Sequence, residues 1–388
     1  MPRKKKAPAA TAAGSRASAV INKLKSKYPG RVFTAGEYTM PWKVKRLPTG
    51  VLDLDIALGG GLPAGGMSFF TGKQGVGKNW LANQVIREHQ RQHGEKTSVA
   101  VVSTEMVFDK EFAHACGVKV SFSDLEVAHF ISEYREDLLE DPSDEIVGAL
   151  TEQIGEFATI PPSTAEEALQ IAIDVIASRE FDIVVIDSFG SLLTEHDNVG
   201  ELGDSPRVGG AAMLNTRFAR KLNTALSPDK DGNPNLTCVI GINQVRDNTD
   251  RANKYSPKTL EAGGWALKHA RWVTVEMAPQ AKIKDGKLLT GKTIRWEITK
   301  QKAGGHEGAR GTFDFMYEHC GIDREAHSVA VAGDYGIVTR KGAWYSYEGE
   351  QIGQGARAAA EFVRETDGLL ELLEKKTLSA AGVRCSYG

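Results

Sequence analysis

The stretch GKQGVGK at residues 72–78 follows a run of apolar residues and precedes a predicted helix. The spacing of Gly72, Gly77 and Lys78 is that of a phosphate-binding loop, in which backbone N–H groups point at phosphate oxygens and the lysine adds a full positive charge. The start of the following helix adds a partial positive charge. The sequence therefore predicts a nucleoside triphosphate site, with a glycine-rich turn that binds nothing as the alternative. The expected binding residues are Gly72, Lys73, Gln74, Gly75, Val76, Gly77, Lys78, Asn79 and Trp80.

The residue after the loop lysine is Asn79, where such loops have Ser or Thr. A hydroxyl is a compact oxygen ligand for Mg²⁺, whereas the amide oxygen of Asn79, on a longer side chain, is expected to bind the ion less well or through water. Asp187 ends the apolar run IVVID and is the expected second anchor for Mg²⁺ and its waters. We therefore predict a site for a nucleotide and Mg²⁺ that needs more Mg²⁺ or turns over slowly.

Two further polar side chains follow apolar runs. Glu105 ends VAVVSTE and is a candidate to orient or deprotonate an attacking water, with a helix cap as its alternative role. Gln244, in GINQVR, is expected to sense the γ-phosphate and to relay its presence along the chain.

The elements that must position these residues alternate along the chain. Apolar runs such as MSFFTG, SVAVVS, FDIVVID and LTCVIGINQ are separated by stretches with helical spacing of apolar residues. One such helix has a clear start, since Ser163 and Thr164 stand three residues before Glu166 and Glu167. Continuous apolar strands between helices predict a mostly parallel sheet covered on both faces, with ligands at the carboxyl ends of its strands.

Two segments depart from this alternation. Residues 120–160 are acidic, with spacing for two helices, and are interpreted as a surface insertion. The stretch APQAKIKDGKLLTGKTIRWEITKQK predicts a β-hairpin around Asp285 and Gly286.

Two long polar stretches with glycines follow the strands of Asp187 and Gln244. They are HDNVGELGDSPRVGG and VRDNTDRANKYSPKTLEAGG, and they contain Arg207, Arg246 and Arg251. Loops of this length in a compact domain are usually functional or disordered. They are expected to bind single-stranded DNA, with plain flexible loops as the alternative.

Composition narrows the class of protein. The 388 residues are 41% hydrophobic and 25% charged, which is typical of globular proteins, and the apolar runs are too short to cross a membrane. The four cysteines are scattered, which argues against a zinc site or a disulfide framework, and no secretory signal is present, so we expect a cytoplasmic protein. Residues 1–46 contain twelve basic residues and one acidic residue, a charge of +11, which indicates a polyanion partner or a solvated tail.

Three stretches give the chain a likeness to a known family. They are TGVLDLDIALGGGLPAG, GELGDSPRVGGAA and KGAWYSYEGEQIGQG, the last at residues 341–355. The chain resembles the bacterial RecA recombinases from about Ala19 to Lys376. The resemblance implies a P-loop NTPase core of RecA type that forms an ATP-dependent filament on single-stranded DNA, pairs it with a homologous duplex and exchanges strands.

The resemblance also assigns roles to individual residues. It implies that Asp109, Phe112 and Tyr317 lie near the adenine, and that Lys300 and Lys302 reach the ATP of a neighbouring subunit. The N-terminal helix VINKLKSKYPG would pack on the adjacent protomer, and Tyr255 would lie at the subunit junction. The implied catalytic residues are Glu105, Lys78, Gln244, Lys300 and Lys302. The implied DNA-binding residues are Arg207, Val208, Gly209, Arg217, Arg220, Arg246, Arg251, Gly263 and Gly264.

Several residues differ from the family pattern. Besides Asn79, Trp80 is bulky where the family has a small residue, and Met213 stands where an arginine is usual. These differences suggest a divergent member, with a viral origin as one explanation. They keep open a second hypothesis, a paralogue that binds DNA and nucleotide but hydrolyses poorly. A ring helicase is disfavoured by the stretch at 341–355.

The expected organisation has four parts. Residues 1–17 form a basic tail, 18–46 an N-terminal oligomerisation segment, 47–332 the ATPase core with the insertion at 120–160, and 333–388 a small α+β domain.

Overall fold

The structure is a computed structural model that describes residues 16–28, 32, 34, 45–104, 108–134, 144–190, 210–247, 259–261 and 264–383. The strands are β1 Arg46–Leu47, β2 Leu62–Pro63, β3 Met67–Gly72, β4 Ser98–Ser103, β5 Glu156–Ile160, β6 Ile183–Asp187, β7 Cys238–Asp247, β8 Thr259–Glu261, β9 Val273–Asp285, β10 Leu288–Gln301, β11 Arg310–Met316, β12 Val338–Lys341, β13 Trp344–Tyr347 and β14 Glu350–Gln354. The helices are α1 Arg16–Lys27, α2 Leu52–Leu58, α3 Lys78–His93, α4 Lys110–Ala115, α5 Asp124–Tyr134, α6 Asp144–Thr151, α7 Ala165–Ser178, α8 Gly210–Ala225, α9 Gly264–Ala270, α10 Arg324–Asp334, α11 Ala356–Glu365 and α12 Leu369–Ala380.

The apolar runs form one central sheet with the order β11-β10-β9-β3-β7-β6-β4-β5. The six strands from β9 to β5 run parallel, whereas β10 and β11 are antiparallel to their neighbours and β8 pairs antiparallel with β7. The predicted α/β fold with a mostly parallel sheet is confirmed. The predicted hairpin is also present, because β9 and β10 are joined at Asp285 and Gly286.

Successive strand residues face opposite sides of the sheet and enter two separate cores. Phe70 and Val185 pack with α3, whereas Phe69 and Val184 pack with α7 and α8. All of these side chains are buried. Both faces of the sheet are therefore covered by helices, as a parallel sheet requires.

The ends of two helices explain their bounds. Helix α3 ends before Gly94, which has a positive φ of 55°, a conformation that favours glycine. At the start of α7 the Thr164 hydroxyl accepts a hydrogen bond from the Glu167 N–H at 3.2 Å, and the Glu167 carboxylate accepts one from the Ser163 N–H at 2.7 Å. The capping interaction expected from the sequence is thus present.

Residues 120–160 contain both expected helices, α5 and α6, which share a small core with Phe122. The last residues of this segment, 156–160, form β5, which pairs in parallel with β4 at the edge of the central sheet. The sequence had placed this strand within a surface insertion. Glu156 and Thr159 of β5 are exposed and its other residues are only half-buried, so this strand has no continuous apolar run.

The C-terminal unit is built on the antiparallel sheet β12-β13-β14. Helices α10, α11 and α12 pack on it around Val338, Ile352 and Leu373. Val329 of α10 belongs to the same core, so this unit includes α10, which begins upstream of the predicted boundary at Gly333. Arg324 of α10 joins it to the domain of the central sheet, because it forms ion pairs with Glu88 of α3 at 3.0 Å and Glu374 of α12 at 2.7 Å.

Asp55 of α2 is a fully buried carboxylate close to this junction. It accepts hydrogen bonds from the Thr49 N–H at 2.7 Å, the Thr49 hydroxyl at 2.8 Å and the Gly50 N–H at 3.2 Å. Burial nevertheless raises the pKa of Asp55 to about 8, with the nearby carboxylates of Glu88 and Glu374 adding to the shift.

Helix α1 has no buried residue among those the structure describes, and Val20 and Leu24 on its surface are exposed. No helix in the described ranges is long and apolar enough to cross a membrane.

Candidate functional site

The strand register brings the predicted chemistry to one edge of the sheet. Gly72 at the end of β3 pairs with Gln244 of β7, and Ile242 of β7 pairs with Asp187 at the end of β6. The ends of β3 and β6 and residues 242–244 of β7 therefore meet around the loop that leads into α3. A cavity of about 520 Å³ lies there and is lined by Gln74, Gly75, Gly77, Lys78, Asn79, Trp80, Phe112, Asp187, Ile242, Gln244, Lys292, Phe315, Tyr317 and Cys320.

The loop wraps around its own lysine. The buried Lys78 ammonium donates to the carbonyl oxygens of Gly72 at 3.1 Å and Lys73 at 2.9 Å. Only glycine fits at position 72, since a Cβ there would lie 2.4 Å from the Met277 carbonyl oxygen. Gly77 has a φ of 98° and directly precedes α3, which places the helix N-terminus at the cavity. These features fit a phosphate-binding loop.

Asn79 and Asp187 are in direct contact. The Asn79 amide nitrogen donates a hydrogen bond to a carboxylate oxygen of Asp187 at 2.7 Å, which leaves the amide oxygen of Asn79 as an acceptor. The described residues contain no group of three His, Cys, Asp or Glu side chains that could hold a metal. Mg²⁺ keeps several waters and needs only one or two protein oxygens, so this pair fits Mg²⁺.

The indole of Trp80 is part of the hydrophobic core. It is 1% exposed and packs against Phe313 and Phe315, with ring centroids 5.1 and 5.6 Å apart. The bulk that seemed unusual at this position therefore fills the space between α3 and β11.

The residues expected near the adenine lie on two sides of the cavity. Asp109 caps α4, its carboxylate accepting from the Phe112 N–H at 2.8 Å, and Phe112 lines the cavity. Tyr317, 46% exposed, lines it from the end of β11. Asp109 itself lines an adjoining cavity of about 340 Å³ that Asn79 and Asp187 also border.

Lys300 and Lys302 lie elsewhere in the protomer. The Lys300 ammonium donates to the carbonyl oxygens of Lys268 and His269, and Lys302 donates to His269 at 2.6 Å. Both charges thus sit at the C-terminal end of α9, where cations are favourable. Burial, Lys302 and Arg271 lower the pKa of Lys300 to about 8. The structure does not bring these lysines to Lys78 within one chain.

Arg271 is a residue that the sequence did not single out. It is 2% exposed, lies 3.7 Å from the centre of the Phe69 ring and forms an ion pair with Glu261 of β8 at 2.7 Å. Because β8 pairs with the end of β7, Arg271 anchors the strand that returns from the second polar stretch. An isolated arginine carries no sequence signal for this role.

The described part of the expected DNA site consists of α8 and the start of α9. Arg217 and Arg220 are exposed on α8, as is Met213 one turn earlier. Helices α8 and α9 pack together, with Gly264 close to Ala212. Glu105, Arg207, Val208, Gly209, Arg251, Tyr255, Gly263 and the side chain of Arg246 lie outside the described residues.

A phosphate-binding loop between β3 and α3, with a carboxylate at the end of β6 and an amide side chain on β7, defines the class of P-loop NTPases. The models of the RecA N-terminal domain and the RecA C-terminal domain match residues 16–130 with 143–323, and 328–382, respectively. The chain belongs to the RecA family.

Curated relatives named Protein RecA are similar to this chain over most of its length. The protein of Syntrophobacter fumaroxidans is 31% identical over 360 residues, 92% of this chain and 91% of the relative. That of Salinispora tropica is 33% identical over 343 residues, 88% and 85% of the two chains. That of a Nocardioides species is 32% identical over 368 residues, 94% and 91% of the two chains.

Proposed function

We propose that this protein is an ATP-dependent DNA recombinase of the cytoplasm, which forms a filament on single-stranded DNA and catalyses homologous pairing and strand exchange. The observation that carries the proposal is the meeting of Lys78, Asp187 and Gln244 around one cavity, in a chain that matches both RecA domains.

The loop is proposed to bind the phosphates of ATP through its backbone N–H groups and Lys78. Asn79 and Asp187 would hold Mg²⁺, which when bound neutralises charge on the phosphate oxygens. Because Asn79 donates to Asp187, the two side chains that would hold the ion already lie next to each other. Phe112 and Tyr317 would enclose the adenine between α4 and the end of β11.

Hydrolysis is proposed to use Glu105 as the group that orients or deprotonates water. Gln244 would contact the γ-phosphate, and its strand continues without interruption to Asp247, next to the second polar stretch. A change at Gln244 on ATP binding would in this way be transmitted along β7 to the proposed DNA-binding loop.

Assembly is proposed to be head-to-tail. Val20 and Leu24 of α1 are exposed apolar side chains, which fits packing on a neighbour. Lys300 and Lys302 would exchange the α9 carbonyls for the phosphates of the neighbouring subunit's ATP and neutralise charge in the transition state. A head-to-tail contact that does not close generates a helical filament.

DNA binding is proposed to involve Arg217 and Arg220 of α8, Gly264 at the start of α9, and Arg207, Val208, Gly209, Arg246, Arg251 and Gly263. The exposed arginines would contact phosphates of the first strand and of the incoming duplex.

The decisive experiment combines ATP hydrolysis, with and without single-stranded DNA, and strand exchange between a single strand and a homologous duplex. We expect DNA-stimulated hydrolysis and exchange by the native chain. Lys78→Ala should abolish both, whereas Lys96→Ala, an exposed lysine just beyond the other end of α3, should not. Hydrolysis without exchange would reject the recombinase and leave a DNA-dependent ATPase of another role.

A further inference from the structure

A second lysine enters the phosphate-loop cavity from the strand opposite the loop. Lys292 of β10 is half-buried and lines the cavity together with Lys78 and Tyr317. Its ammonium donates a hydrogen bond to the carbonyl oxygen of Gly75, inside the loop, and lies 5.3 Å from the centre of the Phe315 ring.

Among the residues that the structure describes, no carboxylate lies within ion-pair distance of Lys292, and burial alone lowers its pKa. A cation taken partly out of water costs free energy unless it is paired. An anionic ligand in the cavity would offset this cost.

The charges on the cavity wall point to the same conclusion. Its charged lining residues are Lys78, Lys292 and Asp187, and Asp187 already accepts the amide of Asn79. The wall therefore has an excess of positive charge facing a space of about 520 Å³. The charge of an anionic ligand would complement this wall.

We propose that Lys292 is a nucleotide-binding residue that contacts the phosphate chain from the β10 side of the cavity, as a second ammonium beside Lys78. This inference rests on the proposed nucleotide site. Its contact with Gly75 keeps the ammonium at the rim of the loop, and the flexible stem lets it turn to the phosphates.

The test compares the affinities of Lys292 variants for adenosine, AMP, ADP and ATP, measured by calorimetry on the full chain. Lys292→Met should weaken ATP and ADP binding by roughly ten- to a hundredfold, the range for a charge-assisted hydrogen bond, and leave adenosine binding unchanged. Lys292→Arg should retain most of the affinity.

Lys292→Gln separates charge from support of the loop. Glutamine can still donate to the Gly75 carbonyl oxygen but has no charge, so we expect the same loss as for Lys292→Met. Lys282→Met is the matched control, since Lys282 is paired with Lys292 across β9 and β10 but is exposed and outside the cavity. It should bind all four ligands as the native chain does.

The outcomes distinguish this inference from the proposed function. Native binding by Lys292→Gln, or an equal loss for adenosine and ADP, would overturn the role of Lys292 while the nucleotide site stands. If the native chain binds no ATP, the proposed function and this inference fail together. Thermal unfolding without nucleotide checks that each variant is folded.

Discussion

The Asn79 amide nitrogen lies 2.7 Å from a carboxylate oxygen of Asp187 and donates a hydrogen bond to it. The residue that breaks the sequence motif is thus joined to the carboxylate that ends the neighbouring strand. Asp187 therefore accepts a hydrogen bond from a neutral side chain at the position where its carboxylate would bind the proposed Mg²⁺.

Asn79→Thr should lower the Mg²⁺ concentration that gives half-maximal ATP hydrolysis by about tenfold, because it supplies a hydroxyl ligand and frees the Asp187 oxygen. The measurement is a Mg²⁺ titration of hydrolysis with single-stranded DNA present. An unchanged Mg²⁺ dependence would show that Asn79 is not a ligand. Turnover that appears only with threonine would support the hydrolysis-impaired paralogue.

Lys300→Ala should reduce DNA-stimulated hydrolysis by about a hundredfold or more, since it removes a charge proposed to act across the subunit junction. Isolated protomers should bind a fluorescent ATP analogue with native affinity, because Lys300 does not line the cavity of Lys78. Lys287→Ala, an exposed lysine at the tip of the β9–β10 hairpin, is the control. A large affinity loss in protomers would place Lys300 in the site of its own chain.

Arg217→Ala and Arg220→Ala should each weaken binding to single-stranded DNA and reduce the slope of log affinity against log salt by about 0.7, the value for one lost phosphate contact. Fluorescence anisotropy at several salt concentrations measures both quantities. Arg340→Ala, at an exposed position of β12, should change neither. A weaker affinity with an unchanged slope would argue against a phosphate contact.

Asp55→Asn should change how stability depends on pH. The pKa of Asp55 rises from 3.8 to about 8 on folding, so between these values the folded protein holds a proton that the unfolded chain has released. This group is therefore at its most favourable below pH 4, and its contribution falls as pH rises to 8, by about 1.4 kcal/mol per pH unit at most.

Urea unfolding from pH 5 to 8 would measure this contribution as the difference between the native chain and Asp55→Asn. The native chain should lose stability relative to the variant as pH rises. Asp174→Asn, at an exposed position of α7, should run parallel to the native chain. A constant difference between the native chain and Asp55→Asn would mean that Asp55 stays ionised.

The sequence predicted the sheet and the meeting of Lys78, Asp187 and Gln244 because parallel strands end at a shared edge, whatever their order. It did not reveal β5, whose pattern is that of an exposed edge strand, or Arg271 and Lys292, whose roles depend on side chains from distant strands. From its position in the motif, Trp80 is predicted to be a bulky residue of the nucleotide site. In the structure its indole packs against Phe313 in the hydrophobic core.

The continuity of β7 has one more consequence. Gln244 borders the cavity of the chain's own phosphate loop, and the next residue, Val245, borders the separate cavity that contains Lys300 and Arg271. Adjacent Cα atoms are about 3.8 Å apart, so β7 separates the two cavities and contributes a residue to each of them. In a filament built as proposed, a shift of β7 at one cavity would also displace its residue in the other cavity. Each ATP site would then be coupled to the next one along the filament.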